Sequence, residues 1–196
     1  MGKVKKASVI SCLTGLLRGA ADERSQVIHG VLKYIKNKLP TCFFLENVVT
    51  ITTKFKPVFE WVLTELISIT DGTGEPAYEV RWKIIDSRHQ GVPQSRRRVY
   101  IVGLRRDSIV SNFIWPPPLP VVPLRNCLDT DDTVEGRNRF PKATQKTARK
   151  NVREVYEKLE AQGINPRRHD IMIDTDSSRP SYSIDHAPTV TSTRGS

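Results

Sequence analysis

The chain has 196 residues, enough for one domain with a sizeable core, or one core and an irregular appendage, but crowded for two full domains. Lys and Arg outnumber Asp and Glu by 31 to 21, giving a formal charge of +10 and a sequence pI near 9.7, which suits a polyanion such as nucleic acid but also a merely solvated basic surface. The three cysteines, Cys12, Cys42 and Cys127, are an odd number without metal-ligand spacing, which argues against a disulfide framework and a zinc site.

No apolar run approaches the roughly 20 residues that cross a bilayer, and Met1–Lys6 lacks the apolar stretch of a secretory signal. The composition therefore reads as soluble and intracellular, with neither membrane nor metal as partner. No repeat occurs at the periods of solenoid arrays.

Along the chain, Val27, Ile28, Val31, Leu32 and Ile35 recur at spacings of three and four, predicting a helix over 23–38 with Asp22 as N-cap and Pro40 beyond its end. Cys42-Phe43-Phe44-Leu45 is a continuous apolar run, the pattern of a strand buried on both faces, with Glu46 at its carboxyl end. A second amphipathic stretch covers 55–69, with Val58, Phe59, Val62, Leu63, Leu66 and Ile67 on one face and the turn Asp71-Gly72-Thr73-Gly74 after it. Residues 78–85 and 98–104 read as strands joined by a polar loop containing Gly91, Pro93 and Arg96-Arg97-Arg98. Helices alternating with strands predict an open α/β sheet, whose ligands gather at the carboxyl ends of the strands.

After Asp107 the character changes, because Trp115-Pro116-Pro117-Pro118-Leu119-Pro120 fits neither a helix nor a central strand. Polar loops follow over 129–139, then a helix over about 144–162 and a Ser/Thr/Pro-containing tail with little core of its own. Ala187-Pro188-Thr189-Val190-Thr191 looks like a strand with nothing to pair with, and the ending Gly195-Ser196 directly after it reads as truncation.

Several stretches carry chemistry. Phe44-Leu45-Glu46-Asn47-Val48 puts a carboxyl group at a strand end, and Gly91-Val92-Pro93-Gln94-Ser95-Arg96-Arg97-Arg98 puts guanidinium groups on a loop entering a strand. Between Arg81 and Arg106 eight Lys or Arg face one acid, Asp86, which concentrates positive charge there. Taken singly, the first is a strand end and the second a solvated surface. Together they resemble the DNA cytosine-5 methyltransferase family, through its Glu-Asn-Val and Gln-x-Arg-x-Arg motifs. Pro188-Thr189-Val190-Thr191 is similar to the segment by which that family returns from its target-recognition region. Gly15, Gly19, Asp22 and Arg24 resemble the run that follows its Pro-Cys-Gln nucleophile loop.

The resemblance implies the C-terminal half of a Rossmann-like methyltransferase sheet over 15–107, after a non-matching segment 1–14. A partial, irregular target-recognition region would occupy 108–187, and 188–196 would begin the return to the catalytic domain. It implies S-adenosyl-L-methionine as cofactor, DNA as partner, a further N-terminal part of the same enzyme, and the nucleus if the source is eukaryotic.

In the family a cysteine thiolate adds to carbon 6 of cytosine, and the resulting enamine attacks the methyl group of the cofactor from carbon 5. The resemblance assigns to Glu46 the carboxyl group that hydrogen-bonds N3 and the exocyclic amine, and to Arg96 and Arg98 the guanidinium groups that hold the O2 carbonyl and a neighbouring phosphate. Asn47, Gln94, Arg97 and Thr191 join them in binding substrate, with Arg88 and Arg105 as further phosphate helpers. Counting back from Gly15 and from Asp22 to the nucleophile's position lands on Ser8, whose hydroxyl ionises far less readily than a thiol. The Pro-Cys-Gln loop and the cofactor's glycine-rich loop are absent. The expectation is a methyltransferase fragment inactive alone, with a noncatalytic nucleic-acid-binding remnant and a chain that does not fold stably as alternatives. Cys42 and Cys127 are expected to be inert.

Overall fold

A computed structural model describes residues 8–9, 23–128, 141–175 and 177–189. The first helical stripe forms α1 (Glu23–Lys38), with Ile28, Val31, Leu32 and Ile35 buried. Val27, expected on that stripe, is 51% exposed, because it lies about 100° around the helix from Ile28, at the edge of the apolar face. Lys36 and Lys38 sit in the last turn, where the helix dipole favours cations. Pro40 disfavours the helical conformation at Leu39, whose φ is 42° and whose N–H still donates to the Ile35 carbonyl at 2.9 Å.

The following strand, β2 (Cys42–Val48), runs through Glu46 rather than ending at it. Its burial alternates: Phe43, Leu45 and Asn47 face the core, whereas Phe44 is 37% exposed. The continuous apolar run therefore does not mark a strand buried on both faces here. Among the described residues, the core that α1 and α2 help to build lies on the Phe43–Leu45 side.

A helical turn at Val49–Thr52 leads into α2 (Lys56–Ile67), where Pro57 fits the first turn because its missing N–H would have had no partner there. Phe59, Val62 and Leu66 are buried, but Ile67, also expected on that face, is 54% exposed at its flank. Two nine-residue strands follow, β3 (Tyr78–Asp86) and β4 (Arg97–Arg105). With β1 (Ser8–Val9) they make a four-stranded sheet in the order β1-β2-β4-β3, β1 parallel to β2 and β4 antiparallel to it.

At the centre of this sheet Phe43 is paired with Gly103, and its ring occupies the space a side chain at 103 would need. A Cβ built there would lie 2.0 Å from the ring. Phe43 also meets the edge of Tyr78, whose hydroxyl donates to the Pro40 carbonyl at 2.7 Å. Phe43, Leu45, Val99 and Ile101 from the sheet share one core with the buried residues of α1 and α2, so the arrangement is mixed α/β.

The chain divides into two compact units, Met1–Ile85 with Arg97–Pro116, and Asp86–Arg96 with Pro117–Ser196. The second holds α3 (Lys146–Ala161), β5 (Ile171–Asp174) and β6 (Ser181–Ile184), the two strands forming an antiparallel hairpin. Ala148, Val152, Val155 and Leu159 are buried along α3, and the Asn151 amide donates to the carbonyls of Thr175 (3.1 Å) and Ser177 (2.9 Å). The tail thus forms a hairpin whose strand residues are all half-buried or exposed, in line with a tail that has little core of its own. Its strands are only four residues long, too short for the alternation of side chains to stand out in the sequence.

Ala187–Thr189 is not unpaired either. Ala187 forms a parallel bridge with Gln94, its N–H donates to the Pro93 carbonyl at 2.7 Å, and its carbonyl accepts from the Ser95 N–H at 3.2 Å.

Candidate functional site

Glu46 and Arg98 are brought together by strand register. Antiparallel pairing sets Glu46 opposite Tyr100 and Val48 opposite Arg98, so Glu46 and Arg98 are diagonal neighbours on the same face of the sheet. Arg98 Nε lies 2.9 Å from Glu46 Oε1, with both side chains about four-fifths shielded from solvent. The Arg98 guanidinium also donates to the Arg97 carbonyl at 2.8 Å. Beside the pair, Phe44 stacks on Tyr100 with ring centroids 5.2 Å apart, giving the ions an aromatic border.

A carboxylate and a guanidinium at this distance make a charge-assisted hydrogen bond. Asn47 projects to the other face and is 2% exposed. Its side-chain oxygen accepts from the Val48 N–H at 2.7 Å, bracing the chain where it leaves β2.

Gln94 and Arg96 belong to the second unit, on the loop between β3 and β4. Asp86 organises this loop: Oδ1 accepts from the N–H groups of Arg88 (3.1 Å) and Arg96 (2.9 Å), and Oδ2 accepts from the Ser95 hydroxyl at 2.9 Å. Ser87 adds two closures, its N–H donating to the Arg96 carbonyl at 3.2 Å and its hydroxyl to the Gln94 carbonyl at 2.5 Å. Gly91 turns the loop at φ 81°, a conformation that L side chains rarely adopt.

On the far side of the loop, the Gln94 amide donates to the Pro188 carbonyl at 3.3 Å, and the Thr189 hydroxyl donates to the Ser95 carbonyl at 2.8 Å. Burial pushes the Asp86 carboxyl group up, but the hydrogen bonds from Arg88, Ser95 and Arg96 outweigh it and hold the pKa below the usual carboxylate value. In the sequence Asp86 stands out only as an exception to the basic run. That exception was the available signal.

Arg88 enters the loop through its backbone N–H, and Arg97 is exposed on β4. Arg105, expected to help hold phosphate, is committed elsewhere: its guanidinium donates to Asp107 (2.6 Å), to the Leu39 carbonyl (2.7 Å) and to the Ser108 hydroxyl (3.3 Å). Those bonds tie the end of β4 to the chain after α1. Ser8, at the nucleophile's expected position, stands in β1 paired with Phe43. Cys42 and Cys127 are free thiols. Cys12, Gly15, Gly19, Asp22, Val190, Thr191 and the loop 129–139 lie outside the described residues, and Arg24 falls in α1.

Among the described residues no group of His, Cys, Asp or Glu could hold a metal ion, and no helix is long and apolar enough to cross a membrane. None of the described glycines stands between the carboxyl end of a strand and a following α-helix, where successive N–H groups would wrap a nucleotide-like cofactor.

Residues 12–192 match the family model for C-5 cytosine-specific DNA methylase. The chain belongs to this family. Its curated relatives include the type II methyltransferases M.MthTI of Methanothermobacter thermautotrophicus, 34% identical over 108 residues, and M.BsuFI of Bacillus subtilis, 33% identical over 122 residues. These alignments cover 55% and 61% of this chain but only 30% and 28% of the relatives, so the chain spans about three-tenths of their length. Among solved structures, the Dnmt2 methyltransferase of S. pombe aligns with 64% of the chain and 39% of its own length, at 18% identity and a TM-score of 0.45.

Proposed function

We propose that this chain is one part of an enzyme that transfers a methyl group to carbon 5 of cytosine in DNA. The observation that carries the reading is the Glu46–Arg98 pair on a single sheet face, in a chain belonging to the C-5 cytosine methylase family. The nucleophile and the methyl donor must approach the cytosine ring from its faces, which stacking covers in duplex DNA, so the base must be flipped out before it reacts. The Glu46 carboxyl group would meet N3 and the exocyclic amine of the flipped base, and Arg98 the O2 carbonyl beside them.

Arg96, Arg97 and Arg88 would hold neighbouring phosphate, with Gln94 and Thr191 also binding substrate and Asn47 bracing the strand end. Residues 15–107 are assigned to the C-terminal half of a Rossmann-like sheet, 108–187 to target recognition and 188–196 to the return. S-adenosylmethionine is the methyl donor of this reading and DNA its substrate. A further N-terminal part of the enzyme would supply the cofactor loop, and an intracellular setting, the nucleus in a eukaryote, belongs to the same reading.

Ser8 in the nucleophile's position favours a second reading for the chain on its own, a noncatalytic nucleic-acid-binding remnant. Tritiated S-adenosylmethionine and a cytosine-containing duplex separate the two. The isolated chain is expected to bind the duplex with a steep salt dependence, to lose affinity on Arg98→Ala, and to incorporate no label. Incorporation would overturn the view that it is inactive alone. Absence of salt-dependent binding would overturn the DNA site.

A further inference from the structure

We propose that Asp86 is the positioning residue of the loop that carries Gln94 and Arg96, and that it acts on DNA through Arg96. The inference rests on the reading of Arg96 as a DNA-contacting residue. One carboxylate accepts from the N–H groups of Arg88 and Arg96 and from the Ser95 hydroxyl, so it fastens the outgoing and returning limbs of the loop at their neck. The Ser87 N–H closes the same neck on the Arg96 carbonyl. Arg96 is thereby held through both its N–H and its carbonyl, which fixes where its side chain departs from the backbone. A guanidinium that must reach a carbonyl or phosphate loses much of its effect when its origin shifts by about 1 Å.

Charge gives the proposal a sign of its own. Asp86 is the only acid between Arg81 and Arg106 in a stretch with eight cations. If its sole effect on DNA were electrostatic, it would repel phosphate, and removing it would tighten binding. A positioning role predicts the reverse: removal weakens binding although the net charge becomes more positive. Asp86→Asn separates the components, since the amide oxygen still accepts from the two N–H groups and the amide nitrogen faces the Ser95 hydroxyl.

The test measures affinity of the full chain for a fluorescent duplex containing one mismatched, easily flipped cytosine, at several salt concentrations. The chains compared are the parent, Asp86→Ala, Asp86→Asn, Arg96→Ala and the Asp86→Ala/Arg96→Ala double variant. Asp86→Ala is expected to weaken binding about tenfold, with Asp86→Asn intermediate, and the double variant is expected to be no weaker than Arg96→Ala.

Binding by Asp86→Ala as tight as the parent's or tighter, or losses that simply add in the double variant, would overturn the proposal. A merely structural residue would give additive losses. If Asp86→Ala fails to give a cooperative thermal transition, Asp86→Asn with and without Arg96→Ala takes its place, and additivity there is equally fatal. Should Arg96→Ala bind as the parent does, the reading of Arg96 itself fails, an outcome distinct from a failure of Asp86 alone.

Discussion

Arg98 Nε meets Glu46 Oε1 at 2.9 Å, between strands whose register makes the two residues diagonal rather than direct partners. The geometry orients the carboxylate: one oxygen is turned to the guanidinium, and the pair is bordered by Phe44 and Tyr100. Because both side chains are largely shielded, losing one partner costs the other more than an exposed ion pair would.

Glu46→Gln, Arg98→Ala and their combination should therefore be coupled in a double-mutant cycle. The interaction is expected to fall within about 0.5–3 kcal/mol by urea unfolding. Arg98→Ala should also weaken binding to a cytosine-containing duplex. Additivity within error in the unfolding cycle would mean that the two groups do not support each other.

The Phe43 ring fills the space over Gly103, so Gly103→Ala should be poorly tolerated although glycine usually weakens a strand. The ring is buried against Tyr78 and cannot swing aside cheaply. A loss of about 1–3 kcal/mol is expected for this overpacking. Phe43→Leu in the Gly103→Ala background should recover part of the loss, and absence of recovery would place the strain elsewhere. Both are read by urea denaturation.

Much of the first unit is legible because α1 and α2 repeat apolar residues at the helical period, while β3 and β4 are rich in β-branched and aromatic residues. Glu46 and Arg98 stood out through motifs, yet their contact depends on the β2–β4 register, which pairs residues far apart in sequence. The continuous run Cys42–Leu45 misled, since a sheet covered on one side and a sheet covered on both can carry the same four letters. Asp86 was obscure for another reason. Two of its three partners are backbone N–H groups, which every residue except proline possesses and no sequence pattern marks. The pairing of Ala187 with Gln94 joins segments more than 90 positions apart and leaves no local trace.

In the second unit, Asn151 is 2% exposed and gives both amide hydrogens to carbonyls, those of Thr175 and Ser177. These bonds tie α3 to the connection after β5. Asn151→Leu keeps the volume but strands two carbonyls, so it should cost about 1–3 kcal/mol. Hydrogen exchange should show the loss concentrated in α3, β5 and β6. Stability unchanged by the substitution would mean that water replaces the amide at both carbonyls.

Tyr78 offers a pH test with a defined direction. Burial is the largest influence on its phenol and, with a smaller contribution from Asp107, outweighs the opposing Arg105 cation, raising the pKa from its usual 10 to about 12. Ionisation would also remove the hydroxyl proton that the Pro40 carbonyl accepts. In the unfolded chain the same phenol ionises near 10, so between pH 10 and 12 the folded state holds more protons than the unfolded state. The stability associated with Tyr78 is therefore complete below pH 10 and is lost as pH rises through about 12. Ultraviolet difference absorbance should show one of the five tyrosines ionising late, and Tyr78→Phe should remove that late component. The substitution forfeits one hydrogen bond, worth about 1 kcal/mol near neutral pH, and should flatten the alkaline fall in stability relative to the parent. An unchanged alkaline titration in Tyr78→Phe would show that Tyr78 is not the late-ionising group.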